Sequence, residues 1–186
     1  MALTTEEKFT LLKIARAALT ARVADGTSLI PGSIDIDSKT LNEQSGAFVT
    51  LNKGEHLRGC IGVFSSFKPL FQTVAEMAIS AAVNDPRFRA VLPEELPFID
   101  IEISVLTPLT EIKDPKTVEV GRHGLCVAMG NRRGVLLPQV ATEHGFDRET
   151  FLGQTCIKAG LPAGAWRSGA TIYVFEAEII KERNND

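Results

Sequence analysis

Leu11, Ile14, Ala15, Ala18 and Leu19 recur at helical spacing behind Thr4 and Glu7, two residues placed to act as N-cap and N3 partner of a capping box. The pattern predicts a helix of about five turns whose apolar stripe belongs to a core. Asp25-Gly26 ends it, and a polar loop around Pro31-Gly32 leads through Ile34 to Thr40. Residues 46–51 and 56–63 then read as two strands. If Asn52-Lys53-Gly54-Glu55 forms a four-residue hairpin loop, Leu51 lies opposite His56, Val49 opposite Arg58 and Ala47 opposite Cys60. His56, Arg58 and Cys60 then line one face, because strand side chains repeat every two residues.

Pro69 suits the first turn of a second long helix, in which Leu70, Val74, Ala78 and Ala82 follow every four residues. Its many alanines imply close backbone packing against a sheet. Asn84-Asp85-Pro86 stops this helix, since the residue before proline avoids helical angles. Ile99, Ile101, Ile103 and Val105 make the apolar face of a strand over 98–106, leaving Glu102 and Ser104 as solvent-facing positions. Gly121-Arg122-His123-Gly124 and Gly130 to Gly134 read as turns between short strands, without the glycine spacing of a nucleotide-binding loop. Asp147 caps a helix that runs to Lys158 and stops at Gly160, and Thr171 to Ile180 alternates as one final strand. The sum is an α+β chain with mainly antiparallel sheets and a few packing helices, and no repeat or low-complexity tract.

With 186 residues the chain has the length of one domain able to bury a sizeable core. Its 20 basic against 23 acidic residues give no basic field, which argues against a general nucleic-acid binder. No stretch approaches the length of a membrane-spanning helix, and Glu6 and Glu7 near the start are unlike a signal peptide. Cys60, Cys126 and Cys156 are odd in number and far apart. They form neither a C-x-x-C pair nor a zinc-ligand spacing with His56, His123 or His144, so no metal site is expected. Unpaired thiols suit a reducing cytoplasm.

The chemistry centres on Leu57-Arg58-Gly59-Cys60-Ile61-Gly62, one thiol between two glycines that remove bulk around the sulfur. A guanidinium such as Arg58 favours the thiolate, the form that attacks electrophiles. Cys126 and Cys156 sit among apolar residues and read as core. Arg87 leaves a tight turn, where it serves its own turn or pairs with Asp85; His123 reads as a turn histidine or a base; Trp166 reads as packing.

LRGCIG resembles the signature of the AMMECR domain family, whose prokaryotic members are called AmmeMemoRadiSam system protein A. The resemblance continues through Gly46 to Leu51, Asp85 to Phe88, Ile103 to Leu106, Gly121 to Leu125, Leu137 to Ala141 and Lys158 to Leu161, ending near Trp166. Phe146 departs from it, since a tryptophan is expected before Asp147. The resemblance implies one AMMECR-like domain over 1–186, with a larger subdomain from both chain ends, a smaller one from intervening residues and a cleft between them. It draws together Cys60 and His123 as catalytic candidates and Arg58, Arg87, Ser104, Gln139 and Lys158 as substrate-binding candidates. It also implies association with a Memo-like protein and a radical S-adenosylmethionine (radical SAM) protein.

The leading expectation is an enzyme or catalytic partner acting on a small polar or anionic molecule at Cys60, with Arg58 and Arg87 holding an anion. A non-catalytic ligand-binding or scaffold protein of the same system is the alternative. A nucleic-acid-associated regulator ranks below both, because Arg122, Arg132 and Arg133 come without a recognition helix or stacking platform. No cofactor is identified by any motif.

Overall fold

The structure, a computed structural model, describes residues 3–27 and 36–182, so the loop expected around Pro31-Gly32 and Ile34 lies outside the described residues. In chain order the elements are α1 (Thr5–Asp25), α2 (Lys39–Asn42), β1 (Ala47–Lys53), β2 (His56–Val63), α3 (Leu70–Val83), β3 (Ile99–Leu106) and β4 (Thr110–Ile112). They continue with β5 (Gly124–Met129), β6 (Arg132–Leu136), α4 (Pro138–Glu143), α5 (Arg148–Lys158), β7 (Thr171–Phe175) and β8 (Ala177–Lys181). The fold is α+β, and its residues gather into two compact units. One runs to Leu106 and resumes at Glu178; the other is Thr107–Ala177.

In the first unit the sheet order is β2-β1-β3-β8, with β1 antiparallel to β2 and to β3. Ala47, Val49 and Leu51 of β1 and Ile99, Ile101 and Ile103 of β3 point to one face, where they meet Leu70, Val74 and Ala78 of α3 and Leu11, Ala18 and Leu19 of α1. Fully buried Ala75 and Ala78 bear out the close packing that an alanine-rich helix implies.

The expected capping box is present at α1. Thr4 Oγ1 accepts the Glu7 N–H at 3.2 Å, and a Glu7 carboxylate oxygen accepts the Thr4 N–H at 2.8 Å. The other Glu7 oxygen accepts the Ser38 hydroxyl at 2.7 Å, while Ser38 Oγ caps α2. The Ser38 bond, followed by the Thr4 N–H, holds the Glu7 carboxyl below its ordinary pKa. Thr4→Ala is expected to lower stability by about 1 kcal/mol in urea unfolding, with an unchanged m-value.

Two expectations about strands are corrected. The β1–β2 hairpin turns on two residues, Gly54 and Glu55, with Gly54 at φ +60°; Asn52 and Lys53 belong to β1 because β3 pairs with them as well. The register then shifts between Leu51 and Asn52, so Asn52 faces Leu57 and Leu51 faces Gly59. Arg58 is the extra residue of this bulge. Cys60 therefore lies opposite Thr50, not Ala47. Likewise, Thr171 to Ile180 is two strands, β7 of one sheet and β8 of the other. The break falls at Glu176, whose C=O accepts the Thr107 N–H at 2.9 Å and whose N–H donates to Thr107 Oγ1 at 2.8 Å.

In the second unit the order is β4-β7-β5-β6, and the β4–β7, β7–β5 and β5–β6 pairs are all antiparallel. Asp147 caps α5 by accepting the Thr150 N–H at 2.8 Å, and Gly160 at φ +71° ends it, as the sequence predicts. Phe146, in the place of the expected tryptophan, packs against the Val118, Leu125, Phe151 and Ile172 cluster and stacks on His144 with ring centroids 5.3 Å apart.

Candidate functional site

Cys60 is the half-buried thiol of the three; Cys126 and Cys156 are buried completely. It lies on β2, at the edge of its sheet, opposite Thr50. Its backbone N–H and C=O both bond away from β1, so Cys60 and Thr50 form a non-hydrogen-bonded cross-strand pair, the kind with the closer side chains. The Thr50 hydroxyl reaches the sulfur accordingly, with Oγ1 3.2 Å from Sγ.

The outward backbone groups of Cys60 are held by a turn. Asp85 is buried at the end of α3, and one of its carboxylate oxygens accepts the Cys60 N–H at 2.9 Å. The same carboxylate takes the Arg87 guanidinium in a fork, Nε to Oδ1 at 3.0 Å and Nη2 to Oδ2 at 2.8 Å, and also accepts the Arg87 N–H at 3.1 Å. Arg87 Nη2 returns to the Cys60 carbonyl at 3.4 Å. The pair thus occupies both backbone groups of an exposed strand edge, much as a neighbouring strand does. The Arg87 fork, above all, holds the Asp85 carboxyl well below the usual carboxylate range although burial pushes the other way. Arg87, in turn, is raised chiefly by its hydrogen bonds to Asp85.

Arg58 is used differently from the expectation. The bulge turns it to Glu95, which takes Nε at 3.0 Å and Nη2 at 2.8 Å, while the Arg89 and Ala90 carbonyls accept from Nη1 and Nη2. With every nitrogen of its guanidinium engaged inside the protein, Arg58 ties the 89–95 segment to β2. An anion at Arg58 would have to displace one of these partners. Glu95 is lowered to about 2 by Arg58 first and then by the Leu92 N–H.

Across the same face of the sheet, Cys60, Thr50 and Glu102 make one row, and Gly62, Phe48 and Ser104 the next. Of the two positions expected to face solvent, Glu102 is partly exposed and Ser104 is not. Glu102 pairs with Lys181 at 3.1 Å, and Ser104 is buried. Two cavities of this unit, one beside Thr4, Glu7 and Ser38 and one beside Arg16, Leu96 and Glu182, are lined by other residues.

A family model described as AMMECR1 matches residues 12–180. The chain belongs to the AMMECR1 family. A protein of Methanothermobacter thermautotrophicus is 45% identical over 97% of this chain and 96% of its own length. A protein of Methanopyrus kandleri is 44% identical over 97% and 90%. Among solved structures, the crystal structure of the uncharacterized protein PH0010 from Pyrococcus horikoshii matches with a TM-score of 0.81 at 40% identity, covering 93% of this chain and 90% of that one.

Among the AMMECR1 motif residues, hydrogen bonds bring together Cys60, Asp85 and Arg87, whereas His123, Gln139 and Lys158 belong to the other unit. His123 is half-buried, and its Nδ1 accepts the Glu119 N–H at 3.1 Å, closing a turn in which the His123 N–H donates to the Glu119 carbonyl. In that tautomer the ring proton is on Nε2. Gln139 opens α4 with its side-chain oxygen buried and without a hydrogen-bond partner among the described residues. Lys158 is exposed in the last turn of α5, where a cation suits the helix dipole. Trp166 packs between two apolar clusters under Arg167, in keeping with a packing role.

Sequence reasoning missed Thr50 and Glu95 as partners of this site. Thr50 was legible in principle as the outward step of an alternating strand, but only with the correct register. Glu95 carries no local signal at all. No group of His, Cys, Asp or Glu among the described residues is arranged to hold a metal ion, and no helix among them is long and apolar enough to cross a membrane.

The three thiols differ enough for a direct prediction. Cys60 is expected to react with a limiting thiol reagent before Cys126, which accepts the Arg133 Nε–H at 3.1 Å in a buried setting, and before Cys156, whose thiol burial pushes up. Peptide mapping after brief labelling checks this, and earlier modification of either buried cysteine is the contrary result.

Proposed function

We propose that this AMMECR1-family protein is an enzyme, or a catalytic partner in a small-molecule pathway, in which Cys60 is a nucleophile or covalent carrier for a compact polar substrate. The observation that carries the reading is the setting of that thiol. It is the accessible sulfur of the three, a hydroxyl donor lies 3.2 Å away, and Asp85 and Arg87 fix its backbone on the side away from β1. A thiol that serves only as core filler needs none of these. On this reading Arg87 presents its outer edge to the substrate, and the chemistry is built from residues of the first unit. A cytoplasmic setting and work alongside a Memo-like protein and a radical SAM protein are part of the proposal. They rest on the unpaired thiols and on the association of prokaryotic AMMECR proteins.

The saturation of Arg58, and a sulfur whose hydrogen-bond partner among the described residues is the Thr50 hydroxyl rather than a basic side chain, favour, as a second reading, a ligand-binding or scaffold protein of the same system. One experiment separates the two. Wild type and Cys60→Ser are incubated with cell extract, captured molecules are identified, and intact mass is measured. A mass gain on wild type that maps to Cys60 and vanishes in Cys60→Ser supports catalysis. Equal capture by both, without any adduct, favours binding.

A further inference from the structure

We infer that the Cys60 site takes an uncharged ligand with a carbonyl-type acceptor rather than an anion, and that Asp85 is the specificity-determining residue. This rests on the reading of Cys60 as the reacting group.

The charges around this single strand segment are matched. Arg87 is the guanidinium bonded to Cys60, and its fork edge, Nε with Nη2, is filled by Asp85. That edge is one of the two by which a guanidinium takes a carboxylate or phosphate in bidentate fashion; the other, Nη1 with Nη2, already gives its Nη2 hydrogen to the Cys60 carbonyl. An anionic ligand must either displace a buried carboxylate that also holds the Cys60 N–H or meet, at the outer edge, a guanidinium whose charge Asp85 already offsets. Arg58, the other arginine of the segment, is matched by Glu95 at 2.8 Å, and Glu102, in the row of Cys60, by Lys181 at 3.1 Å. Lys53 also reaches Glu95, at 3.5 Å, but from the exposed hairpin end three residues along β1 from Thr50. That is about 10 Å at strand rise, roughly a Debye length at physiological salt. Arg89 enters only through its carbonyl, which accepts from Arg58. Among the described residues, no unmatched cation is bonded into the segment that carries the sulfur. The outer edge of Arg87, on a side chain 55% exposed, is a neutralised donor suited to a carbonyl oxygen, while the Thr50 hydroxyl donates to the sulfur itself.

Alkylation of the native protein tests this with two probes of similar size, neutral iodoacetamide and anionic iodoacetate. In each reaction the sulfur forms a bond to carbon and iodide leaves. The rate ratio of anion to neutral at Cys60, followed by intact mass and peptide mapping, is compared with the ratio for 2-mercaptoethanol in the same buffer. In wild type the two ratios are expected to agree within about twofold at low and at high salt. In Asp85→Asn, which leaves Arg87 unmatched, the Cys60 ratio is expected to rise about three- to tenfold at low salt and to fall back at high salt. A wild-type ratio already several times the reference and suppressed by salt overturns the inference while Cys60 remains the reactive group. A ratio in folded Asp85→Asn equal to that of wild type overturns the role of Asp85. Modification of Cys126 or Cys156 ahead of Cys60 by both probes overturns the underlying reading and the inference with it. If Asp85→Asn does not fold, the wild-type ratio at the two salt concentrations still decides the ligand's charge class.

Discussion

Gly59→Ala is expected to destabilise the protein by about 3 kcal/mol or to prevent its folding, an effect in the range of severe overpacking. A Cβ at Gly59 meets the Ala81 carbonyl oxygen at 2.2 Å and the Ala81 carbonyl carbon at 3.1 Å. Both are backbone atoms of α3, so no side chain can rotate away; the helix or the strand has to move. That movement opens the interface in which Val49, Leu51, Val74 and Ala78 are buried. Gly164→Ala is the control. Gly164 has φ −86°, and a Cβ there meets nothing within 4 Å. The substitution is expected to be neutral or to stabilise by a few tenths of a kcal/mol through the unfolded chain. Urea unfolding of the two variants checks the contrast, and equal stability of Gly59→Ala and wild type contradicts it.

The LRGCIG signature therefore carries two kinds of information. Its glycines are packing positions: Gly59 lies against α3, and Gly62 lies under the Phe48 ring, where a Cβ meets ring carbons at 2.2 and 2.3 Å. Arg58 is a tether for the 89–95 segment. Cys60 is the residue whose side chain is left accessible by this construction.

Much of the architecture was legible because each helix and strand carries its own period. The capping box of α1, the alternation of β3, and the Asp147 and Gly160 boundaries of α5 are local features that the fold retains. What the sequence hides is non-local. Thr171 to Ile180 contains no glycine, proline or other turn residue, so nothing in its alternation marks the passage from one sheet to another at Glu176. The hairpin register depended on whether Asn52 and Lys53 are loop or strand, and pairing with Asp100 and Ile99 of β3 decides that. An error there exchanges Ala47 for Thr50 opposite the thiol. The Arg58–Glu95 pair spans 37 positions, a separation at which no spacing rule operates. Asp85 and Arg87, two residues apart, were legible as a pair. Their hold on the Cys60 backbone was not.

The same pairs make the protein sensitive to acid. Asp85 and Glu95 both have folded-state pKa values below those of the unfolded chain, Asp85 well below the usual range and Glu95 at about 2. For a depressed carboxylate, the unfolded state binds more protons than the folded state between the two values. The contribution to stability is therefore complete above the unfolded pKa of about 4 and is lost as pH falls through the folded one. Stability is expected to be insensitive to these groups above about pH 5 and to decline steadily below about pH 4. Asp85→Asn isolates one part of the decline. It removes a carboxylate that is 2% exposed while Arg87, 55% exposed, regains water. The loss at neutral pH is thus expected at or just below the lower end for a broken buried pair, about 2–3 kcal/mol. The variant and wild type should then converge as pH falls towards 2, because protonation takes from wild type what the substitution has already removed. Urea unfolding of both proteins across this range provides the test. A constant difference in stability from pH 7 down to pH 2 would show that the Asp85 carboxylate is not charged and paired in the folded protein, and that the clamp on Cys60 is held by packing alone.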